Sequence, residues 1–381
     1  MRLPSSATPE GTAAYRDRMS DRLPVDHFVD LGGLAASSIG LGTYLGPSTD
    51  AGDGAYYEAI RRALALGCNV IDTAVNYRDQ RSERTIGRAL ADAAAAGEVA
   101  REEVLVCTKG GFIAFDGTRP TNPSAWFKET FLDPGICTPQ DVVAGCHVMT
   151  PRYVRHQLEV SLANLGLECV DIYYLHNPET QLDEIDHQEF HRRVADVFET
   201  LEECVAAGKV RWYGMATWSG FRLEAEAPGY LSLSDLVDLA RGVAGDDHHF
   251  RAIQLPYNLN MTEAFLEHNQ TVGRNDLPPL QAAKVYGLAT FASASLMQAH
   301  LTGGLPPLLG EVLTGLETDA QRAIQYVRST PGLDVALVGM RSVAHVEENL
   351  ALAAIPPVPT ERFLTLFDRM DDAEFGIEET V

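Results

Sequence analysis

Eight short runs rich in β-branched and small apolar residues recur along the chain, each parted from the next by an amphipathic helical stretch, and this alternation constrains the fold more than any other feature. The runs are SSIGLGT (38 to 44), NVIDTA (69 to 74), VLVCTK (104 to 109), VDIYYLH (170 to 176), VRWYGMA (210 to 216), FRAIQL (250 to 255), YGLATFAS (286 to 293) and DVALVG (334 to 339). Between them, AYYEAIRRALALG, ERTIGRALADAAAAG and VFETLEECVAAG carry apolar residues at three- and four-residue spacing, and each closes on a glycine suited to ending a helix. Thr150 and Pro151 open a further helix, with a hydroxyl for the cap and proline in the first turn, and Gly166 ends it. Strands that alternate with helices pair in parallel. Eight such units without a break in composition predict an α/β fold of the (β/α)8 TIM barrel type in a single domain, with a doubly wound sheet as the other arrangement of the same units.

A barrel of this kind takes ~250 residues, so much of the 381-residue chain belongs to connections and tails. Residues 1 to 25 are polar and read as a loosely held N-terminal arm, and residues 26 to 381 read as the barrel domain. An insertion at about 110 to 149 follows the third strand and holds Trp126, Phe127 and Phe131; a polar, acidic connection, 177 to 190, follows the fourth. Long loops on a rigid scaffold tend to line binding sites, which makes Trp126, Phe127, Trp218 and Tyr257 candidate walls of a substrate pocket.

The net charge of −23, from 53 acidic against 30 basic residues, repels nucleic acid and anionic membrane surfaces, so neither is expected as a partner. The first two dozen residues hold no apolar core of the kind a secretory signal needs, and no stretch approaches ~18 uninterrupted apolar residues. A cytoplasmic protein with reduced thiols is expected. Cys137, Cys146 and His147 fit no common zinc spacing, and no metal is expected.

In a parallel barrel the chemistry sits at the C-terminal rim, so polar residues at successive strand ends are the ones to inspect. Asp72 ends the second strand, Lys109 the third and His176 the fourth; Thr217 follows the fifth, Gln254 lies near the end of the sixth, and Gly339, Arg341 and Ser342 close or follow the eighth. Tyr77 stands five residues past Asp72 in DTAVNY, close enough to swing back over the mouth. Burying Lys109, Asp72 and His176 together requires pairing. A cation beside a phenol lowers its pKa from about 10, so Tyr77 is expected to be the proton donor, with Lys109 its activator and Asp72 holding Lys109. A Schiff-base lysine is the other chemistry open to Lys109, and it leaves Tyr77, Gln254 and Arg341 without a role.

At these residues the chain resembles the aldo-keto reductases, whose tetrad is Asp, Tyr, Lys and His on a (β/α)8 barrel. GCNVIDTAVNYRDQRSERTIGRAL carries Asp72 and Tyr77, VLVCTKGG carries Lys109, and DIYYLHNPE carries His176; the likeness runs from about residue 28 to 354. It implies an NAD(P)H-dependent enzyme that reduces an aldehyde or ketone to an alcohol, or runs the reverse, on a small carbonyl substrate. NADPH is the implied cofactor and NADH the alternative, since Arg341 offers a guanidinium for the adenosine phosphate, with Ser342 and His345 beside it and Glu348 and Asn349 near the adenine. Gln254 would hold the nicotinamide carboxamide. Two positions depart from the family pattern. Thr217, with Ala216 before it and Trp218 after, stands where many relatives have Ser-Asn, and Ser293 stands where a tyrosine usually stacks on the nicotinamide, with Phe291 on the same strand face as a replacement stack. These departures leave a second reading, a cofactor-sensing subunit of another protein.

Overall fold

The computed structural model describes residues 2 to 372. Eight parallel strands close into a barrel, in chain order: β1 (Ile39–Gly42), β2 (Val70–Asp72), β3 (Leu105–Gly110), β4 (Val170–His176), β5 (Val210–Ala216), β6 (Phe250–Pro256), β7 (Ala289–Ser293) and β8 (Val335–Gly339). The ring closes where β8 pairs with β1, with Val338 beside Leu41 and Gly339 beside Gly42. One helix precedes the barrel, α1 (Pro9–Met19), and one follows each strand: α2 (Asp50–Ala65), α3 (Arg81–Ala95), α4 (Pro151–Leu165), α5 (His187–Ala206), α6 (Leu233–Ala244), α7 (Pro279–Val285), α8 (Asp319–Ser329) and α9 (Val343–Ala351). The (β/α)8 expectation holds, and the doubly wound alternative falls because the sheet has no edge.

The helix boundaries follow from their ends. Gly67, Gly97 and Gly208 take left-handed φ values of 98°, 69° and 70° just past α2, α3 and α5, which only glycine adopts without strain. Thr150 sits at the start of α4 in the extended conformation of a cap, but its hydroxyl makes no cap hydrogen bond, and Pro151 sets the first turn instead.

Alternation along each strand builds two cores. Val70, Leu105, Cys107, Ile172, Tyr174, Phe291, Val335 and Leu337 fill the barrel interior, while Ile71, Val106, Tyr173, Ile253 and Ala292 face the helices. The antiparallel pair Phe28–Leu31 and Leu34–Ser37 lies below the interior and contributes Leu31, Leu34 and Ala36 to it. By the same period of two, Asp72, Lys109, His176 and Gln254 point into the barrel as the residues above this apolar filling. No helix among the described residues is long and apolar enough to cross a membrane.

The expected loose arm is instead packed structure. Thr8 caps α1 by accepting from the Gly11 N–H at 3.0 Å, Tyr15 and Met19 are buried, and the Tyr15 hydroxyl donates to the Leu64 carbonyl at 2.5 Å. Few apolar residues are needed, because one buried face of a three-turn helix suffices to hold it. Asp171, fully buried in β4, ties this segment to the barrel: its carboxylate accepts from Ala7 N at 2.6 Å, Val106 N at 2.8 Å and the Arg101 guanidinium at 2.7 Å.

Removing one partner of a buried ion pair strands the other charge, at about 3 to 5 kcal/mol. Asp171→Ala is therefore expected to lower unfolding stability by that amount in urea titration, and a loss under about 1 kcal/mol contradicts the assignment of Asp171 as the anchor of the N-terminal segment.

Candidate active site

Lys109 is wholly buried at the penultimate position of β3, and each proton of its ammonium has an acceptor. The Nζ donates to Asp72 Oδ2 at 2.6 Å, to the Thr73 carbonyl at 2.8 Å and to the Tyr77 hydroxyl at 3.3 Å. Asp72 is held from its other side, where its Oδ1 accepts from Gln254 Nε2 at 2.8 Å. The His176 ring packs edge-on against Tyr77, centroids 5.7 Å apart. The four side chains expected from strand ends thus meet at one point.

Tyr77 is placed by the turn that leaves β2. Its N–H donates to the Ala74 carbonyl at 3.0 Å, and the next three residues, Arg78, Asp79 and Gln80, all take left-handed φ of 49°, 55° and 69°. Such a run stores strain and persists only when its surroundings over-determine it. Arg78 supplies that: its guanidinium is buried, pairs with Asp53, donates from Nε to the Pro47 carbonyl at 3.1 Å and lies 5.1 Å from the Tyr56 ring centre. Arg81 adds a second pair to Asp53, and the loop after β1 is thereby fastened beneath Tyr77.

The electrostatics differ from the sequence expectation in one sign. Burial pushes the Tyr77 phenol above its ordinary value of 10.0, and the attraction of Lys109 recovers only part of that, while Asp72 adds to the rise. The phenol, already protonated at neutral pH at its ordinary value, is made a weaker acid by desolvation and is not, on balance, acidified by the neighbouring ammonium. Lys109 loses favourable hydration on burial, but Asp72 and Tyr77 more than offset this and hold it above its usual value, hence charged. His176 is driven well below 6.5 by burial first, then by Lys109 and His147, and is a neutral imidazole whose Nδ1 is buried without a partner.

These groups open onto a cavity of about 980 Å3 that runs across the C-terminal rim. Asp72, Tyr77, His176, Thr217, Trp218, Gln254, Ser293, Gly339, Arg341, His345, Glu348 and Asn349 all line it. Ser342 does not; its hydroxyl caps α9 by accepting from His345 N at 3.3 Å. Arg341 is exposed and has no ion pair among the described residues. Thr217 lines the cavity, and its hydroxyl is buried without a hydrogen-bond partner among the described residues.

Four expected residues lie elsewhere. Phe291 shares a strand face with Ser293 but sits one layer deeper, in the barrel interior against Tyr174 with centroids 6.1 Å apart, and does not line the cavity. Trp126 and Phe127 pack on Phe131 in a satellite core with Val148 and Tyr153, away from the cavity. Tyr257 is fully buried, stacked on Tyr326, and its hydroxyl donates to the Tyr326 hydroxyl at 3.1 Å. Trp126 and Phe127 are thus half-buried within their own insertion, and Tyr257 is buried against a helix.

Residues that sequence reasoning passes over complete the walls: Tyr44 and Leu45 after β1, Asn76, Phe112 after β3, and the loop after β7 from Ala294 to Thr302. Tyr44 lies tilted against Tyr77, ring centres 5.0 Å apart. Extending the strand-end rule two or three residues into each loop finds Tyr44 and Phe112. Nothing in the sequence announces the β7 loop, where Ala294, Met297, Gln298 and Ala299 all take positive φ.

Comparison with known proteins agrees with this architecture. The sequence profile of the Aldo/keto reductase family matches residues 38–228. An aldo/keto reductase from Klebsiella pneumoniae, solved in complex with NADP and acetate, superposes with a TM-score of 0.59 at 22% identity over 90% of this chain and 95% of that one. Aldo-keto reductase yakc [NADP(+)] from Schizosaccharomyces pombe is 26% identical over 194 residues, 50% of this chain and 44% of that protein. The NADH-specific methylglyoxal reductase of Escherichia coli is 27% identical over 188 residues, 48% of this chain and 49% of its own length. In sequence, the matched part of the chain spans about half the length of these curated relatives. A closed parallel barrel with Asp, Tyr, Lys and His converging at its rim defines a class of rim-site barrel proteins, and within it the chain belongs to the aldo/keto reductase family.

Because desolvation outweighs the attraction of Lys109, Tyr77 is expected to ionise above 10.0. Subtracting the ultraviolet titration of Tyr77→Phe from that of the wild type isolates this phenol; ionisation below 10 contradicts the balance of effects described.

Proposed function

We propose that the protein is an NAD(P)H-dependent reductase of a small carbonyl compound, with Tyr77 as general acid. The observation that carries this reading is the contact between the Lys109 ammonium and the Tyr77 hydroxyl at 3.3 Å, at the floor of a cavity that continues to a free guanidinium at Arg341. A bound reduced nicotinamide supplies the hydride. Every other role falls to the chain. The Tyr77 hydroxyl holds the proton for the forming alkoxide, and Lys109 offsets the charge left on its oxygen. His176, neutral and close to Tyr77, offers its one N–H as a hydrogen bond that orients the carbonyl; a neutral imidazole holds that proton too tightly to transfer it as an acid. Asp72 and Gln254 keep Lys109 charged and in place.

The residues suit the dinucleotide. Arg341 together with the N-terminal end of α9 makes a positive site for a phosphate, and Asn349 and Glu348 line the same end of the cavity. Thr217 offers an unpaired hydroxyl near the tetrad, and Gln254, whose amide nitrogen is engaged by Asp72, keeps its oxygen for a donor such as a carboxamide. Ser293 lines the cavity where a stacking ring is usual, leaving that face of the nicotinamide to be packed by the loop after β7. A Schiff-base role for Lys109 is disfavoured, since all three of its protons are engaged and it is wholly buried.

The walls beside Tyr77 are Tyr44, Phe112 and Trp218 with Asn76, and, apart from the buried Lys109 behind Tyr77, the one Lys or Arg side chain at the cavity among the described residues, Arg341, belongs to its far end. An uncharged aldehyde or ketone with an apolar or aromatic body fits such walls better than an anionic one.

General acids contribute about 10²- to 10⁴-fold. Tyr77→Phe is expected to lower kcat for aldehyde reduction by that range while NADPH quenches its fluorescence with unchanged Kd; wild-type turnover sinks the reading. NADPH binding without turnover over a broad aldehyde panel in the wild type favours the cofactor-sensing alternative instead. Arg341→Ala is expected to raise KM for NADPH about tenfold or more and leave KM for NADH nearly unchanged, as loss of one charge-assisted phosphate contact does; equal effects on both cofactors overturn the assignment of Arg341 to the phosphate.

A further inference from the structure

His147 is buried, lies 29 residues before His176 in the chain, and has no part in the chemistry proposed above. It reaches the site on a hairpin, Val142–Val143 paired with His147–Val148, inside the insertion that follows β3. The hairpin is sewn to the end of β3: Val148 N donates to the Gly111 carbonyl at 2.9 Å and Ile113 N to the Cys146 carbonyl at 2.8 Å. Gly111 has φ of 139°, and a Cβ there would lie 2.5 Å from His147 Nε2 and 3.2 Å from the His176 carbonyl, so the close approach of the two histidines requires this glycine.

The proton on His147 is fixed by a chain of partners that begins at a group that can only donate. Arg193 of α5 donates to Gln181 Oε1 at 2.7 Å. The Gln181 oxygen therefore faces Arg193 and its nitrogen faces the histidine, where Nε2 donates to His147 Nδ1 at 2.9 Å. An accepting Nδ1 leaves the proton on Nε2, which donates to the His176 carbonyl at 2.8 Å. Phe112 fills the space between the two imidazoles, edge-on to each, at 5.1 Å from His147 and 5.0 Å from His176.

We propose that His147 is a positioning residue for the reductase site: as the Nε2–H tautomer, set by Arg193 and Gln181, it pins the last carbonyl of β4 and, with Phe112, fixes the His176 ring against Tyr77. The purpose of the insertion is then to brace His176, and its aromatic residues form the small core that holds the hairpin in place. The backbone at His176 needs such a brace, because Asn177, the next residue, turns into left-handed φ of 46° and ends the strand pairing. Burial pushes the His147 imidazole down to about 4, so it stays neutral and keeps this tautomer across the physiological range.

This inference rests on the reductase reading for its catalytic consequence but not for its geometry, and the test separates the two. In aldehyde reduction, His147→Phe removes the donor at similar volume and is expected to lower kcat at least about tenfold, since small misplacements of reacting groups cost one to two orders of magnitude. KM for NADPH should stay within twofold, and His147→Gln, whose amide nitrogen can donate from nearly the same place, should recover kcat to within about threefold of wild type. A folded His147→Phe enzyme turning over at the wild-type rate, or an equal loss in the Phe and Gln variants, overturns the proposal. Ring ¹⁵N spectra of histidine-labelled wild-type protein provide the readout that needs no activity and no variant fold: a protonated Nε2 and a bare Nδ1 at His147 are expected, and the opposite tautomer refutes the relay. A wild type inactive on every carbonyl but with this tautomer in place would count against the reductase reading and leave the relay standing.

Discussion

A lone ammonium buried in the mouth of an apolar barrel is untenable, and the disposition of the surrounding groups follows from that constraint. Lys109 is held charged by Asp72 at 2.6 Å and by a backbone carbonyl at 2.8 Å, which leaves its third proton for the phenol of Tyr77. Gln254 occupies the second oxygen of Asp72, so the carboxylate cannot turn away. The site is consequently rigid before any substrate arrives. Burial raises the Tyr77 phenol and lowers the His176 imidazole, so both are uncharged at neutral pH, as the proposed division of a proton donor and an orienting group requires.

The barrel supplies this arrangement through simple periodicity. Residues two apart on a strand share a face, so Cys107 and Lys109, Tyr174 and His176, and Val70 and Asp72 form successive layers, apolar below and polar above. Turns and insertions then do what strands cannot. The strained segment from Arg78 to Gln80, fastened through Arg78 to Asp53, brings Tyr77 back over the mouth, and the hairpin bearing His147 closes on the end of β4.

The sequence makes the strands, the helix ends and the tetrad legible because each rests on a local rule: alternation, a glycine past a helix, a polar residue ending an apolar run. What depends on depth or on distant partners is not legible. Phe291 and Ser293 share parity, and parity tells the face but not the layer, so the ring sits in the barrel core while the serine meets the cavity. Trp126, Phe127 and Tyr257 are aromatic residues in or beside loops, and only the fold tells whether such rings face a ligand or one another. The direction of the Tyr77 shift is missed for a related reason: the sequence names the neighbouring cation but not the extent of desolvation. His147 reads as a poor metal ligand until Gln181, 34 residues on, and Arg193 are seen beside it.

The central claim is that a charged amine against a protonated phenol makes the chemistry at this rim. The double variant Asp72→Asn with Lys109→Met removes both charges together and so leaves no stranded ion. Its kcat for aldehyde reduction with NADPH, measured on folded protein, is predicted to fall at least about a hundredfold, the order expected when charge stabilisation at the reacting group is lost. Turnover within about threefold of wild type would contradict the account.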